Sequence, residues 1–190
     1  EEACERGGLV DFAELLLRAH ELWLKSPTTL AHYQARFKTI LVDEFQDTNT
    51  IQYAWLRVLA GQTIPVVAVG DDDQSIYGWR GAKVENIQRF SEDFAGTVTV
   101  RLEQNYRSTE TILEAANGLI SRNAGRLGKN LWTEGERGDP ITLYAGFNEQ
   151  DEARYIVEQA ESWCDEGNPR RSVAILYRSN AQSRVLEEAL

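Results

Sequence analysis

Behind Asp11, the apolar residues Phe12, Leu15, Leu16, Leu22 and Trp23 recur near helical spacing, and the aspartate is placed to accept from a free N–H of the first turn. The pattern predicts an amphipathic helix over 11–25. A shorter helical segment follows Ser26-Pro27 and leads into Thr39-Ile40-Leu41-Val42, a β-branched and apolar run too short for a buried helix, and so a predicted buried strand. Helical spacing returns over 49–60 through Ile51, Trp55, Leu56 and Leu59, stops at Gly61, and gives way to a second apolar strand from Ile64 to Val69. Two strands bridged by one helix make a βαβ unit.

The alternation continues, with a helix over 84–94, a strand over 97–102, and a helix over 109–123 carrying Ile112, Leu113, Ala116 and Leu119 on one face. A polar, glycine-bearing stretch from Ala124 to Asp139 precedes a strand over 140–144, a helix over 149–163, a strand over 172–177 and a terminal helix from Ala181. The predicted class is α/β, with mainly parallel sheets and flanking helices. The domain boundary is placed at Glu103-Gln104, dividing 1–103 from 104–190. It rests on pattern, because acidic residues outnumber basic ones on both sides.

Composition narrows the classes. Thirty acidic against 20 basic residues in 190 give a net charge of −10, which argues against a protein that coats DNA by bulk positive charge. Any nucleic-acid contact must be local. Two distant cysteines, Cys4 and Cys164, form neither a zinc pattern nor a disulfide framework and fit a reducing, cytoplasmic setting. His20 and His32 lack metal-type spacing. No apolar run approaches the ~20 residues of a membrane span, and the acidic start EEACERGG is unlike a signal peptide.

The strand at 40–42 runs straight into Asp43-Glu44-Phe45-Gln46-Asp47, at the strand end where α/β sheets bind ligands. An aspartate there suits Mg²⁺, which prefers hard oxygen ligands, and a neighbouring glutamate can polarise an attacking water. Acidic residues also simply end strands or cap the following helix, and both readings stand for a bare Asp-Glu pair. The second strand likewise opens into Gly70-Asp71-Asp72-Asp73-Gln74. Gln74 can donate to a phosphate oxygen and accept from a water at once; alternatively the loop is a solvated acidic turn. Three successive aspartates would repel a phosphate unless a metal, a basic group or a different orientation is supplied.

Ser75-Ile76-Tyr77-Gly78-Trp79-Arg80-Gly81 follows, with two rings two positions apart beside an arginine and between glycines that let the backbone bend closely. If extended, the segment puts both rings on one side, a platform for unstacked bases worth ~1–3 kcal/mol per base, with the guanidinium free for phosphate. The other reading places both rings in the core.

In order and spacing, LVDEFQDT, VGDDDQSIYGWRGA, RLEQNYRST and ILYRSNAQSR resemble the motifs of superfamily 1 DNA helicases of the UvrD/PcrA/Rep type, over nearly the whole chain. The resemblance implies parts of two RecA-like P-loop NTPase domains and a 3′-to-5′ motor that spends ATP to move along single-stranded DNA in repair and replication. It implies ATP and Mg²⁺ as cofactors, single-stranded DNA and duplex junctions as partners, repair proteins beside them, and no membrane. By the same resemblance Asp43 matches the Mg²⁺-associated aspartate, and Glu44, beside it in the metal set, matches the residue that activates the hydrolytic water. Gln74 matches the γ-phosphate contact that couples nucleotide to DNA. Tyr77, Trp79 and Arg80 match the single-strand track, Tyr106 the ring on the adenine, and Arg107 the arginine that reaches the γ-phosphate and stabilises its transition state by roughly 10³–10⁵ in related systems. Arg178 and Asn180, expected at a strand's C-terminal end, match backbone contacts to DNA.

One part of the pattern is missing from these 190 residues. The Gly-x₄-Gly-Lys-Ser/Thr phosphate loop has no match: the lone Gly-Lys pair, Gly128-Lys129, is followed by Asn130 and has Asn123 where the first glycine belongs. The resemblance therefore implies an internal fragment, with weak or no ATPase activity by itself. A RecB/AddA-like helicase–nuclease shares these motor motifs, and a module that binds single strands without hydrolysis is the non-enzymatic alternative.

Overall fold

The computed structural model describes residues 6–190. Cys4 lies outside the described residues, and Cys164 is a free, half-buried thiol. By compactness the chain divides into two units, one ending at Arg137 and the other beginning at Gly138.

In the first unit, α1 (Phe12–Lys25) starts where Asp11 accepts the Glu14 N–H at 2.7 Å. Ser26 caps α2 (Pro27–Gln34), with proline at the first helical position where no N–H is needed. Strand β1 (Ile40–Val42), α3 (Thr50–Ala60) and β2 (Val66–Ala68) realise the predicted βαβ unit, the strands pairing in parallel as Ile40 with Val66, Leu41 with Val67 and Val42 with Ala68. Asn49 and Gln52 close a reciprocal capping box at the start of α3.

The core sits beneath this pair. Phe45, Tyr53 and Leu56 are buried and packed against Ile40, Val42, Val66 and Ala68 and against Ile87, Phe90 and Phe94 of α4 (Glu85–Asp93) and its C-terminus. Phe45 meets Phe90 edge to face at 5.3 Å, and burying such a ring contributes about 1.5–3 kcal/mol. The Tyr53 hydroxyl donates to Asp93 at 2.8 Å; burial first, then that bond, holds its pKa well above the ordinary phenol, so it stays a donor. A second aromatic contact fastens α1 to α3, Trp23 stacking on Trp55 at 4.6 Å.

The last helix of this unit, α5 (Glu110–Ile120), follows a loop tied to a later segment: Trp132 donates to the Glu103 carbonyl at 3.1 Å and its own carbonyl accepts the Asn105 N–H at 2.7 Å. Such bonds span Glu103-Gln104, so 104–137 is compact with what precedes it. In the second unit, α6 (Glu149–Asp165) and α7 (Asn180–Ala189) pack on each other, and Tyr144 stacks on Tyr155 at 3.8 Å.

Three predicted strands, 97–102, 140–144 and 172–177, are not strands among the described residues. Their composition suits a strand, but a strand exists only as one half of a ladder, and no described segment pairs with them. Val98, Leu143 and Leu176 are accordingly exposed at 84%, 95% and 94%. The class is α/β, with one small parallel sheet among the described residues where several were expected.

Past the ladder the two strands stay joined, Val69 donating to the Val42 carbonyl at 2.8 Å and Phe45 to the Val69 carbonyl at 2.9 Å. Gly70 lies so close to this crossing that a Cβ there would stand 2.8 Å from Gln46 Oε1 and 3.2 Å from the Phe45 backbone nitrogen. Neither neighbour can retreat from a buried, hydrogen-bonded position. Gly70→Ala is expected to destabilise the chain by about 1–3 kcal/mol, read as a lower urea midpoint; an unchanged midpoint would mean the loops are looser than described.

Candidate functional site

At the end of β1, Asp43 and Glu44 are both exposed. Asp43 Oδ1 accepts the Glu44 N–H at 2.9 Å. Glu44 has φ 49°, the sole described non-glycine residue with positive φ, a left-handed backbone costing roughly 1–2 kcal/mol for a side-chain-bearing residue. That turn sends the chain inward immediately afterwards, so Phe45 and Gln46 are buried at 2% exposure each. Gln46 Nε2 donates to Glu44 Oε2 at 2.7 Å, and its Oε1 accepts the Asp71 N–H at 3.0 Å. Thr48 closes the turn by donating to the Phe45 carbonyl at 2.7 Å, and buried Asn86 donates to both the Thr48 carbonyl and its hydroxyl.

The loop after β2 begins with Asp71, whose Oδ2 accepts Gln74 Nε2 at 2.6 Å and is paired with the Lys129 ammonium. The mutual repulsion foreseen in the aspartate run is met by basic groups. Arg126 grips Asp73 with two bonds, at 2.8 and 2.6 Å, and Asp72 Oδ2 accepts the Leu127 N–H at 2.7 Å. The three aspartates cluster closely enough to hold a cation. With every carboxylate already engaged and two cations offsetting two of the three negative charges, they form a structural joint. Asp43 and Glu44 differ: hard oxygens lie side by side at a strand end, and Asp43 Oδ2 and Glu44 Oε1 have no partner among the described residues. That donor set fits Mg²⁺, which takes one or two carboxylates and keeps its waters.

Tyr77 and Trp79 do share a side, although the segment is not extended. Tyr77 precedes a 3₁₀ turn over Gly78–Arg80, the ring centroids are 6.4 Å apart, and Arg80 lies over both rings at 4.9 and 4.5 Å. Trp79 is 74% exposed, which removes it from the core; Tyr77 is half-buried. The guanidinium is therefore stacked on the platform and not held apart from it, in a cation–π arrangement. Of the two glycines, only Gly81 is conformationally required, at φ 87°; a Cβ on Gly78 would meet open space.

Tyr106 is exposed and donates to Gln104 at 2.7 Å, while Asn105 Oδ1 accepts the N–H groups of Arg107 and Ser108. The Arg107 guanidinium has no partner among the described residues, and no hydrogen bond or ion pair there joins Tyr106 or Arg107 to Asp43, Glu44 or Gln74. In the second unit, exposed Arg178 and Asn180 flank Ser179, the cap of α7. They sit at a helix start and not at a strand end, because 172–177 forms no ladder. The sequence pattern missed Gln46, Asn86 and Arg126 altogether. Lys129 was noticed only as half of an unsuitable Gly-Lys pair, although the need for a basic group near Asp71 pointed towards it.

Comparison with known proteins gives two family matches: the UvrD/REP helicase N-terminal domain over residues 1–95 and the UvrD-like helicase C-terminal domain over 100–190. Over all 190 residues the chain is 70% identical to DNA helicase II of Escherichia coli K12 and 70% identical to DNA helicase II of Salmonella typhimurium, spanning 26% of each. It is 48% identical over 183 residues to the ATP-dependent DNA helicase PcrA of Staphylococcus epidermidis, covering 96% of this chain and 25% of that protein. The chain thus spans about a quarter of the length of these relatives.

The electrostatic joint has a measurable pH signature. Burial alone would raise the Asp71 carboxyl, but the Lys129 ammonium, the Gln74 amide and the Asp73 N–H favour its ionised form and leave it below the ordinary aspartate range. A carboxyl lowered by folding stabilises the fold above its unfolded value, and that contribution is lost as pH falls through the folded value. Lys129→Met is expected to move the acid-unfolding midpoint to higher pH; a midpoint that stays put would show the pair to be energetically idle.

Proposed function

The chain belongs to the UvrD/REP helicase family, and from that membership we propose that the protein carrying it is an ATP-dependent 3′-to-5′ DNA helicase working on single-stranded DNA and duplex junctions. The family matches meet between residues 95 and 100, which supports assigning 1–103 to a first RecA-like motor domain and 104–190 to the start of a second. The single observation that carries the reading is the joining of Asp43, Glu44 and Gln74 through Gln46 and Asp71 into one network at the ends of β1 and β2. Tyr77, Trp79 and Arg80 follow Gln74 within six residues, so a change at a nucleotide has a short covalent path to the stacking surface.

In this reading Asp43 holds Mg²⁺, which supplies charge neutralisation on the triphosphate, and Glu44 takes a proton from the attacking water. Gln74 exchanges its bond to Asp71 for one to the terminal phosphate. Tyr106, exposed and oriented by Gln104, offers a face to the adenine, and Arg107, whose guanidinium has no partner among the described residues, offers its charge to the γ-phosphate. Exposed Arg178 and Asn180 contact the DNA backbone. The setting is the cytoplasm, in DNA repair and replication alongside repair proteins; among the described residues no helix is long and apolar enough to cross a membrane.

Two substitutions in the full-length protein test the halves of this proposal separately. Glu44→Gln keeps shape and volume but cannot take the proton, so ATP turnover is expected to fall by roughly 10²–10⁴ while nucleotide still binds; turnover near wild type would dismiss the assigned role. Trp79→Ala is expected to weaken single-strand binding by about 1–3 kcal/mol in a fluorescence titration, and equal affinity would remove the ring from the track.

A further inference from the structure

Glu44 leaves its strand on a left-handed backbone and is exposed, so its own packing does not fix where its oxygens point. Gln46 does. Its amide is buried at 2% exposure and engaged at both ends, Nε2 donating to Glu44 Oε2 at 2.7 Å and Oε1 accepting the Asp71 N–H at 3.0 Å. A primary amide is the uncharged group that offers a donor and an acceptor at the two corners of one rigid plane. A carboxylate in its place sets oxygen against oxygen, and an alkyl group leaves the Asp71 N–H without a partner. Gly70 closes the remaining space, since even a Cβ at that position would press on Gln46 Oε1 at 2.8 Å. On the far side, Asp71 carries Gln74 through the 2.6 Å bond from Nε2.

We propose that Gln46 is a positioning residue for hydrolysis, aiming the Glu44 carboxylate and tying its setting to the loop that carries Gln74. The inference rests on the reading of Glu44 as the water-activating residue. In that step the water oxygen bonds to the γ-phosphorus, the bond to the β,γ-bridging oxygen breaks with its electron pair leaving on ADP, and the water's proton passes to Glu44. Gln46 occupies Oε2 as a donor, so Oε1 is the oxygen that faces the water and takes the proton. Because Gln46 also holds the Asp71 backbone, withdrawal of Gln74 from Asp71 towards a phosphate is felt at Glu44 through the two hydrogen bonds of the Gln46 side-chain amide.

The test uses the full-length protein with saturating single-stranded DNA and three variants, Gln46→Glu, Gln46→Leu and Gln46→Asn, the last too short to span both partners. Steady-state kcat is expected to fall at least about ten-fold in each variant that folds, a loss of the size general-base misplacement produces. The KM for ATP, the equilibrium affinity for a non-hydrolysable ATP analogue and the affinity for single-stranded DNA are expected to stay within about two-fold, which a general loosening of the fold would not allow. Wild-type kcat in any folded Gln46 variant overturns the proposal, as does a loss confined to nucleotide or DNA affinity with kcat intact. Should Leu and Glu prevent folding, Gln46→Asn decides by the same criteria, and the loss of fold in all three would itself overturn a positioning role by making Gln46 a residue of the core. Glu44→Gln run in parallel separates the two readings: normal turnover there removes the underlying role of Glu44, whereas abolished turnover there with normal turnover in the Gln46 variants removes only the inference drawn here.

Discussion

A primary amide enclosed between two loops must find one donor and one acceptor or cost the fold about 1–3 kcal/mol for each group left unmet. Gln46 meets both requirements only because β1 and β2 lie side by side and their following loops cross at Gly70. The parallel pairing, the glycine at the crossing, the left-handed turn at Glu44 and the outward set of Asp43 and Glu44 are therefore one constraint seen from different residues. Phe45, the immediate neighbour of this amide, is the ring on which the first unit's core is assembled. Site and core are adjacent links of the same backbone.

Electrostatics completes the arrangement. A chain with a net charge of −10 places three carboxylates in succession in the loop after β2, an arrangement that repels itself. Arg126 and Lys129 offset two of the three charges, and the Leu127 N–H engages the third aspartate. Glu44 and Asp43, one strand away, keep oxygens without partners among the described residues. Two acidic clusters with similar sequence signatures thus have opposite chemistry, and what separates them is the presence of a basic loop more than fifty residues downstream.

That separation marks the limit of what the amino-acid pattern discloses. Helices announced themselves through local signals: Asp11, Ser26, Asn49, Asn148 and Ser179 all accept N–H groups at helix starts, and apolar spacing fixed the faces. The βαβ unit was legible for the same reason, its strands being short apolar runs on either side of one capped helix. Strand identity at 97–102, 140–144 and 172–177 was not, because a ladder is a property of two segments and the pattern describes one. Asp43, Glu44 and Gln74 stood out by residue type, and Trp79 by its glycine and arginine neighbours. Gln46 did not, since an amide between Phe45 and Asp47 discloses its two partners only when Asp71 is brought beside it, 25 positions away.

What Trp79 offers to solvent, with Arg80 over its ring and Tyr77 tilted beside it, is mainly aromatic surface. Every nucleobase presents a π-face of comparable quality, so a ring surface of this kind has little means of telling one base from another.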